Sequence, residues 1–175
     1  MMSSVAYTKK IVLTALFVAS GIVLQIIEQI LPIFCSIPGG KLGLANVVTI
    51  AGILIFGGGY GISVAVIRSL LGCLLFGGIS ALPYSLFGAL FSSIIMSCFL
   101  CSKQRTFSLI GIGIIGACAH NFAQILISSL LLKNGYVWTY LPVLFLLSVF
   151  SGGTVGVCAV RIKRYLSAHK LTERQ

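Results

Sequence analysis

The sequence predicts an all-α integral membrane protein of about six transmembrane helices, and three observations lead to this fold class. Hydrophobic residues make up 58% of the 175 residues and charged residues only 8%, so the chain lacks the charged surface that keeps a globular domain dispersed in water. The apolar residues gather in runs close to the ~20 residues that cross a bilayer as a helix. Most lysines and arginines lie at the ends of these runs, as topology signals do.

Six apolar runs are the candidate spans, and we expect them to form a single membrane domain over residues 1–175. They cover residues 11–31, 42–56, 62–76, 83–101, 107–132 and 140–160, and a polar basic tail covers residues 161–175. The first run is too long for the apolar part of a signal peptide, so it is predicted to be the first transmembrane helix. The second and third runs are short and end in glycine clusters. Two short helices and a re-entrant pair both fit, and we favour two short helices.

The positions of Lys and Arg predict the orientation of the chain. If both termini are cytoplasmic, the inner segments carry many more basic residues than the outer loops, as is usual in membrane proteins. The inner ones are Lys9, Lys10, Lys103, Arg105, Arg161, Lys163, Arg164, Lys170 and Arg174, and the outer ones are Lys41 and Lys133. The net charge of +10 therefore reflects topology. We expect the lipid bilayer as a partner and no nucleic acid, because outside the short tail no basic face is interleaved with exposed aromatic residues.

The scarcity of acidic residues excludes several kinds of catalysis. The chain has no Asp, and its acids are Glu28 and Glu173, so it lacks the paired carboxylates that bind Mg²⁺ or divide acid and base roles. Cys98 and Cys101 form a C-x-x-C pair without a second pair or a neighbouring His, and we interpret them as packing residues. We therefore expect a chain that is not catalytic alone and that holds no metal and no cofactor.

Two charged residues within the spans, Glu28 and Arg68, are candidates for function. A charge in hydrocarbon costs at least ~2.5 kcal/mol unless it is paired or faces a cavity. We expect both residues to face the bundle interior, either as a buried ion pair that fixes helix packing or as ligand-binding groups, and these roles are not exclusive. The planar guanidinium of Arg68 suits an anionic carboxylate or phosphate group.

A polar stripe lies in the fifth span. Gly116, His120, Gln124 and Ser128 repeat every four residues and share one helix face, while Asn121 stands roughly 100° away around the helix. A lone His is usually a packing residue. Here His120 aligns with an amide and a hydroxyl and has a second amide beside it, which favours a cavity lining over inert contact between helices.

Two further pairs carry weaker signals. Lys41 in the first outer loop can close over an anionic ligand, with Asn46 about one turn below it, but spacing alone favours an exposed loop residue and an amide at a helix start. Ala15 and Ala19 form a small-x-x-x-small pair on the first helix, a spacing that permits close contact with a neighbouring helix.

Four motifs, spread over nearly the whole chain, carry a family resemblance. They are Lys9-Lys10 ahead of the Ala-Leu-Phe-Val-Ala run at 15–19, the Pro-Gly-Gly-Lys-Leu-Gly-Leu-Ala-Asn run at 38–46, Arg68 with Leu71-Gly72 and Leu75-Phe76-Gly77-Gly78, and Ala119-His120-Asn121. With these motifs the chain resembles the Gx transporter family, which is also labelled heptaprenyl diphosphate synthase component I.

The Gx transporter family is similar to the substrate-binding S components of energy-coupling factor transporters, six-helix proteins that bind vitamins or related precursors from outside. The resemblance implies an S-component-like bundle that binds a small precursor, anionic or related to isoprenoids or quinones. It implies a transmembrane coupling subunit docked at Ala15 and Ala19, with separate ATPase subunits; this chain has no Walker motif. It places the ligand in a cavity lined by Lys41, Asn46, Arg68, His120, Asn121 and Gln124.

The family's other label implies a different function. It suggests a membrane accessory to a prenyl synthase catalytic subunit that makes the prenyl tail of menaquinone. A third alternative is an accessory to membrane redox metabolism. The missing acids argue against prenyl transfer by this chain itself, so we favour the transport component.

Overall fold

Six α-helices account for most of the residues that the structure describes, and none of these residues forms a strand. The computed structural model describes residues 2–30, 43–102 and 107–168. A π-helical turn, Cys73–Gly77, follows the third helix, and short 3-10 helices precede the fourth and the sixth. The six are α1 Met2–Ile30, α2 Leu44–Phe56, α3 Gly58–Gly72, α4 Leu82–Cys101, α5 Leu109–Leu132 and α6 Leu141–Ala168.

Five helical segments within the described residues are long and apolar enough to cross a membrane. The remaining helix, α2, has 13 residues. Its length is therefore about 20 Å, against the ~30 Å of hydrocarbon in a bilayer. The predicted fold class, an all-α integral membrane protein, is confirmed, and the expected number of about six helices includes this short one. The chain is a multi-pass membrane protein.

The short helix α2 lies inside the bundle. Residues 45–53 are buried apart from Val47, and α2 packs against α1, α3, α4 and α6. Because protein surrounds much of α2, its ends do not have to reach both membrane surfaces. The apolar core on one side of it consists of Ile50, Ile53, Met96, Ile112, Val155 and Ala159.

Gly57 alone joins α2 to α3. Its φ of 92° is a conformation that residues with a Cβ atom rarely adopt, so glycine lets the chain reverse direction within one residue. The Gly57 N–H donates to the Ile53 carbonyl (2.9 Å), and the Gly57 carbonyl accepts from the Gly61 N–H (3.2 Å). The second and third apolar runs therefore form two helices that are joined by a tight turn.

Helices α1 and α6 extend beyond the apolar runs that predict them. The first helix begins at Met2 instead of residue 11, and the last continues to Ala168, through the start of the predicted basic tail. Lys and Arg are good helix formers, and the hydrogen bonds of a helix backbone do not require a bilayer. Polar turns consequently lengthen both helices at the end of the bundle where the basic residues gather.

Candidate functional site

An internal cavity lies near the end of the bundle where α1, α3 and α5 finish and α2 and α4 begin. Neighbouring helices in the chain run in opposite directions, as the pairing of Glu28 with Gly43 and of Ser69 with Ser85 illustrates. Polar side chains from all six helices reach the cavity. Its volume is about 50 Å³, which is room for roughly three or four water molecules.

The structure brings together most of the residues that the sequence singles out. Lys41 lies outside the described residues. The role of the others in binding stays a prediction, but side chains from distant points of the sequence meet at one place. The predicted residues that line the cavity are Glu28, Asn46, Arg68, His120, Asn121 and Gln124.

Glu28 connects the end of α1 to the start of α2. Its Oε1 accepts a hydrogen bond from the Gly43 N–H (2.6 Å), and the Gly43 carbonyl accepts from the Asn46 N–H (2.8 Å). Gly43 has a φ of 67°, the left-handed conformation that glycine adopts without strain. A carboxylate at a helix N-terminus is favourable because the exposed N–H groups there carry partial positive charge.

Arg68 is a buried cation on the cavity wall, 5% exposed to solvent. Its Nη2 donates to Asn46 Oδ1 (3.3 Å), and the charge of Glu28 attracts it. Its aliphatic stem lies against α1 at Gly21, where a Cβ atom would overlap Arg68 Cδ. Arg68 therefore contacts α1 with its stem and α2 with its guanidinium. The role of the Glu28–Arg68 pair in fixing helix packing stays a prediction.

His120 lies against α4 at Gly88. A Cβ atom on Gly88 would stand 2.8 Å from His120 Cε1 and 2.9 Å from His120 Nε2, so only glycine leaves room for the imidazole in this position. Only part of the predicted polar stripe of α5 lines the cavity. His120 and Gln124 line the cavity, whereas Gly116 faces Met96 and Ser128 donates to the Gln124 carbonyl (2.7 Å).

Asn121 both lines the cavity and ties α5 to α6. Its Nδ2 donates to the Leu144 carbonyl (3.2 Å) and to Ser148 Oγ (2.8 Å). Ser148 Oγ in turn donates to the same Leu144 carbonyl (2.7 Å). The amide donor of Asn121 is thus committed to contact between helices, and its carbonyl oxygen is the part available to a ligand.

Sequence reasoning missed three polar residues of the cavity, and one of them had a usable signal. Gln25 lies one turn after Gly21 and one turn before Glu28, so all three share a face of α1. A Cβ atom on Gly72 would lie 2.7 Å from Gln25 Oε1, which places the amide in the contact between α1 and α3. The missed residues are Gln25, Ser85 and Ser151. The two serines have no distinguishing sequence pattern.

A second, mostly apolar groove runs along the outside of α1 and α3. Its volume is about 610 Å³. Ala15 and Ala19 are exposed and lie in it, with Lys10 and Thr14 towards the start of α1. The structure thus places both alanines on a surface, and their contact with a partner helix stays a prediction.

The cavity and the helices around it define a class of protein: a multi-pass α-helical membrane protein with an internal polar cavity. The family described as heptaprenyl diphosphate synthase component I matches residues 17–162. The chain belongs to this family, so the family resemblance seen in the motifs is confirmed. Neither a curated protein nor a solved structure matches the chain. Similarity to transporter S components stays a prediction.

Proposed function

We propose that this chain is the substrate-binding membrane component of a transport system and that it is not catalytic alone. The observation that carries this proposal is the internal cavity, where Arg68, only 5% exposed, and His120 meet several amides inside an apolar bundle. Ionisable side chains are expensive in a membrane and typically mark the path or the site of a substrate. Helices can pack closely without ionisable side chains, as the glycine contacts between α5 and α6 show.

In the proposed orientation both termini are cytoplasmic and the cavity faces the outside. Helix order places Lys10, Arg161, Lys163 and Arg164 at the opposite end of the bundle from the cavity, which supports this orientation. A small polar molecule enters from outside and binds to the cavity side chains, and Lys41 closes over it. Release to the cytoplasm requires reorientation that is driven by a partner.

The groove along α1 and α3 is the proposed docking surface for that partner. Ala15 and Ala19 expose little side chain, so a partner helix can approach the backbone of α1 closely. The proposed partner is a transmembrane coupling subunit that works with separate ATPases.

The family description supports a second candidate function, a non-catalytic membrane component of a heptaprenyl diphosphate synthase. Its partner would be the prenyl synthase catalytic subunit. Among the described residues that line the cavity, Glu28 is the single acid, so the cavity offers no pair of carboxylates for Mg²⁺ and a diphosphate. Catalysis would therefore reside in the partner.

Native mass spectrometry of the full chain, purified in mild detergent, tests whether the cavity binds a ligand. We expect a co-purifying small molecule whose occupancy falls at least about tenfold in Arg68→Gln and in His120→Gln, because each loses a hydrogen bond from an ionisable group. Ser128→Ala is the matched control, since Ser128 bonds to its own helix. If both cavity variants keep the same molecule at the occupancy of the unmodified chain, the cavity is not the binding site.

The proteins that co-purify from solubilised membranes distinguish the two candidate functions. Recovery of a coupling subunit with ATPases supports transport, and recovery of a prenyl synthase catalytic subunit supports the second candidate. Recovery of the synthase subunit without any ATPase contradicts the transport proposal.

A further inference from the structure

We propose that the cavity takes a small molecule without net charge that presents a hydrogen-bond donor and an acceptor side by side, as an amide, lactam or urea does. This inference rests on the proposed function, because it assumes that the cavity binds a ligand. It replaces the anionic group that the sequence alone suggests for Arg68 with a neutral one.

The first step is the way in which α1 and α3 interlock. The stem of Arg68 lies over Gly21 of α1, and the amide of Gln25 lies over Gly72 of α3. The two contacts are one helical turn apart on each helix, so the helices lie side by side in parallel. The positions at which the Gln25 and Arg68 side chains cross this contact are consequently offset by one helical turn, about 5.4 Å along the helix axes.

The second step is that each of these two side chains has a buried polar atom without a hydrogen-bond partner among the described residues. Gln25 Oε1 is an acceptor and Arg68 Nε carries an N–H donor. Both residues line the cavity. The two atoms lie in the α1–α3 contact, over Gly72 and Gly21, so a ligand in the cavity reaches them when α1 yields. Because buried polar groups are nearly always hydrogen-bonded, this pair is what such a ligand completes. A ligand N–H directed at Gln25 and a ligand carbonyl directed at Arg68 satisfy both atoms, and an amide edge supplies both groups.

The third step is the charge of the cavity. Among the described lining residues, Glu28 and Arg68 carry opposite charges that attract and cancel each other. Even with Lys41 closed over the ligand, a phosphate or diphosphate would bring more negative charge than the site balances, and a buried unbalanced charge is strongly unfavourable. The volume of about 50 Å³ also favours a compact group.

The experiment compares two probes of matched shape, propionamide and propionate, with inorganic pyrophosphate. Thermal unfolding of the full chain in detergent, at constant ionic strength, gives an apparent Kd for each probe. We expect propionamide to bind at least about tenfold more tightly than propionate and pyrophosphate, since only the amide pairs with both open atoms. Gln25→Met keeps the side-chain length but removes the acceptor, and we expect it to abolish the preference. Ser128→Ala is the control that should keep it.

Two results would overturn the inference. One is tighter binding of propionate or pyrophosphate than of propionamide, lost in Arg68→Gln; the cavity would then bind an anion, and the proposed function would survive. The other is a propionamide preference that is absent or that persists unchanged in Gln25→Met. Failure of the proposed function is distinct, because it appears as ligand occupancy that does not depend on Arg68 or His120 in native mass spectrometry.

Discussion

The contact between α5 and α6 and the contact of α1 with α3 are built in opposite ways. Between α5 and α6, backbone meets backbone: a Cβ atom on Gly152 would overlap Ile114 Cα, and one on Gly113 would lie 2.8 Å from Gly156 N. Between α1 and α3, long polar side chains lie over glycines of the facing helix. Burial sets α1 apart as well, since 11% of its span is buried, against 39% of the spans that contain α3, α5 and α6.

This difference separates a rigid side of the cavity from an adaptable one. A backbone contact yields only if a whole helix moves, whereas an arginine or glutamine can change rotamer. The α5–α6 unit holds His120, Asn121 and Gln124, and α1 contributes Gln25 and Glu28. An element with few buried contacts opens at lower free energy than the core does. We therefore expect α1 to yield when a ligand enters, while α5 and α6 keep their geometry.

The largest effect is expected for Gly152→Ala, which adds a methyl group against the backbone of α5. Because neither backbone can move aside, we expect a loss of at least about 3 kcal/mol in the free energy of unfolding, measured by denaturation in detergent. Gly153→Ala is the matched control: its Cβ meets no described atom within 4 Å, and alanine favours a helix by about 1 kcal/mol over glycine. If the two variants are equally stable, the α5–α6 contact is not the rigid side of the cavity.

A smaller loss of stability, about 1–2 kcal/mol, is expected for Gly21→Ala. The new methyl group overlaps the stem of Arg68, which can shift, so the cost is lower than for Gly152→Ala. Because the guanidinium moves with the stem, we also expect a lower occupancy of the co-purifying ligand in native mass spectrometry. The control is Gly59→Ala, where a Cβ meets no described atom within 4 Å. A destabilisation as large as that of Gly152→Ala would mean that the α1–α3 contact is as unyielding as the α5–α6 contact.

A still smaller effect, a coupling free energy of about 0.6–1.7 kcal/mol, is expected between Asn121 and Ser148. A double-mutant cycle with Asn121→Ala and Ser148→Ala measures it, because the 2.8 Å hydrogen bond between them joins α5 to α6. The control cycle pairs Asn121→Ala with Ser128→Ala, which share no partner, and should give a coupling near zero. If the two cycles agree, Asn121 does not tie the helices together and only its cavity role remains.

The fold class and most of the cavity could be predicted because charge and polarity are costly in hydrocarbon. Arg68 and His120 are costly in contact with lipid, so both were expected to face the interior of the bundle. The interior faces of six helices meet at few places, so these side chains were expected to lie close together. The α5–α6 contact could not be predicted in the same way. The chain has 20 glycines, and nothing in the sequence separates Gly152, which touches α5 backbone, from Gly153, which does not.

Pairings across helices escaped prediction for the same reason. Gly88 accommodates His120, and Gly43 donates to Glu28, but each pair depends on how two helices are positioned and not on spacing along one of them. Gln25 shares a face of α1 with Gly21 and Glu28, but the sequence does not show which residue of another helix lies opposite it. Its share in the α1–α3 contact appears only when Gly72 is seen opposite it.

The smallest effect on the chain itself is expected where α1 has no neighbour to disturb. Replacing both Ala15 and Ala19 by Leu adds bulk to exposed positions of the groove, so the free energy of unfolding should change by less than about 0.5 kcal/mol. If the groove is the docking surface, the same variant should lose the co-purifying partner subunit, because a partner helix can no longer approach α1 closely. Leu16→Phe is the control, since Leu16 is 60% exposed and lies outside the groove. If the double variant keeps the partner subunit as well as the Leu16→Phe chain does, the partner docks elsewhere. The role of α1 is then limited to the cavity.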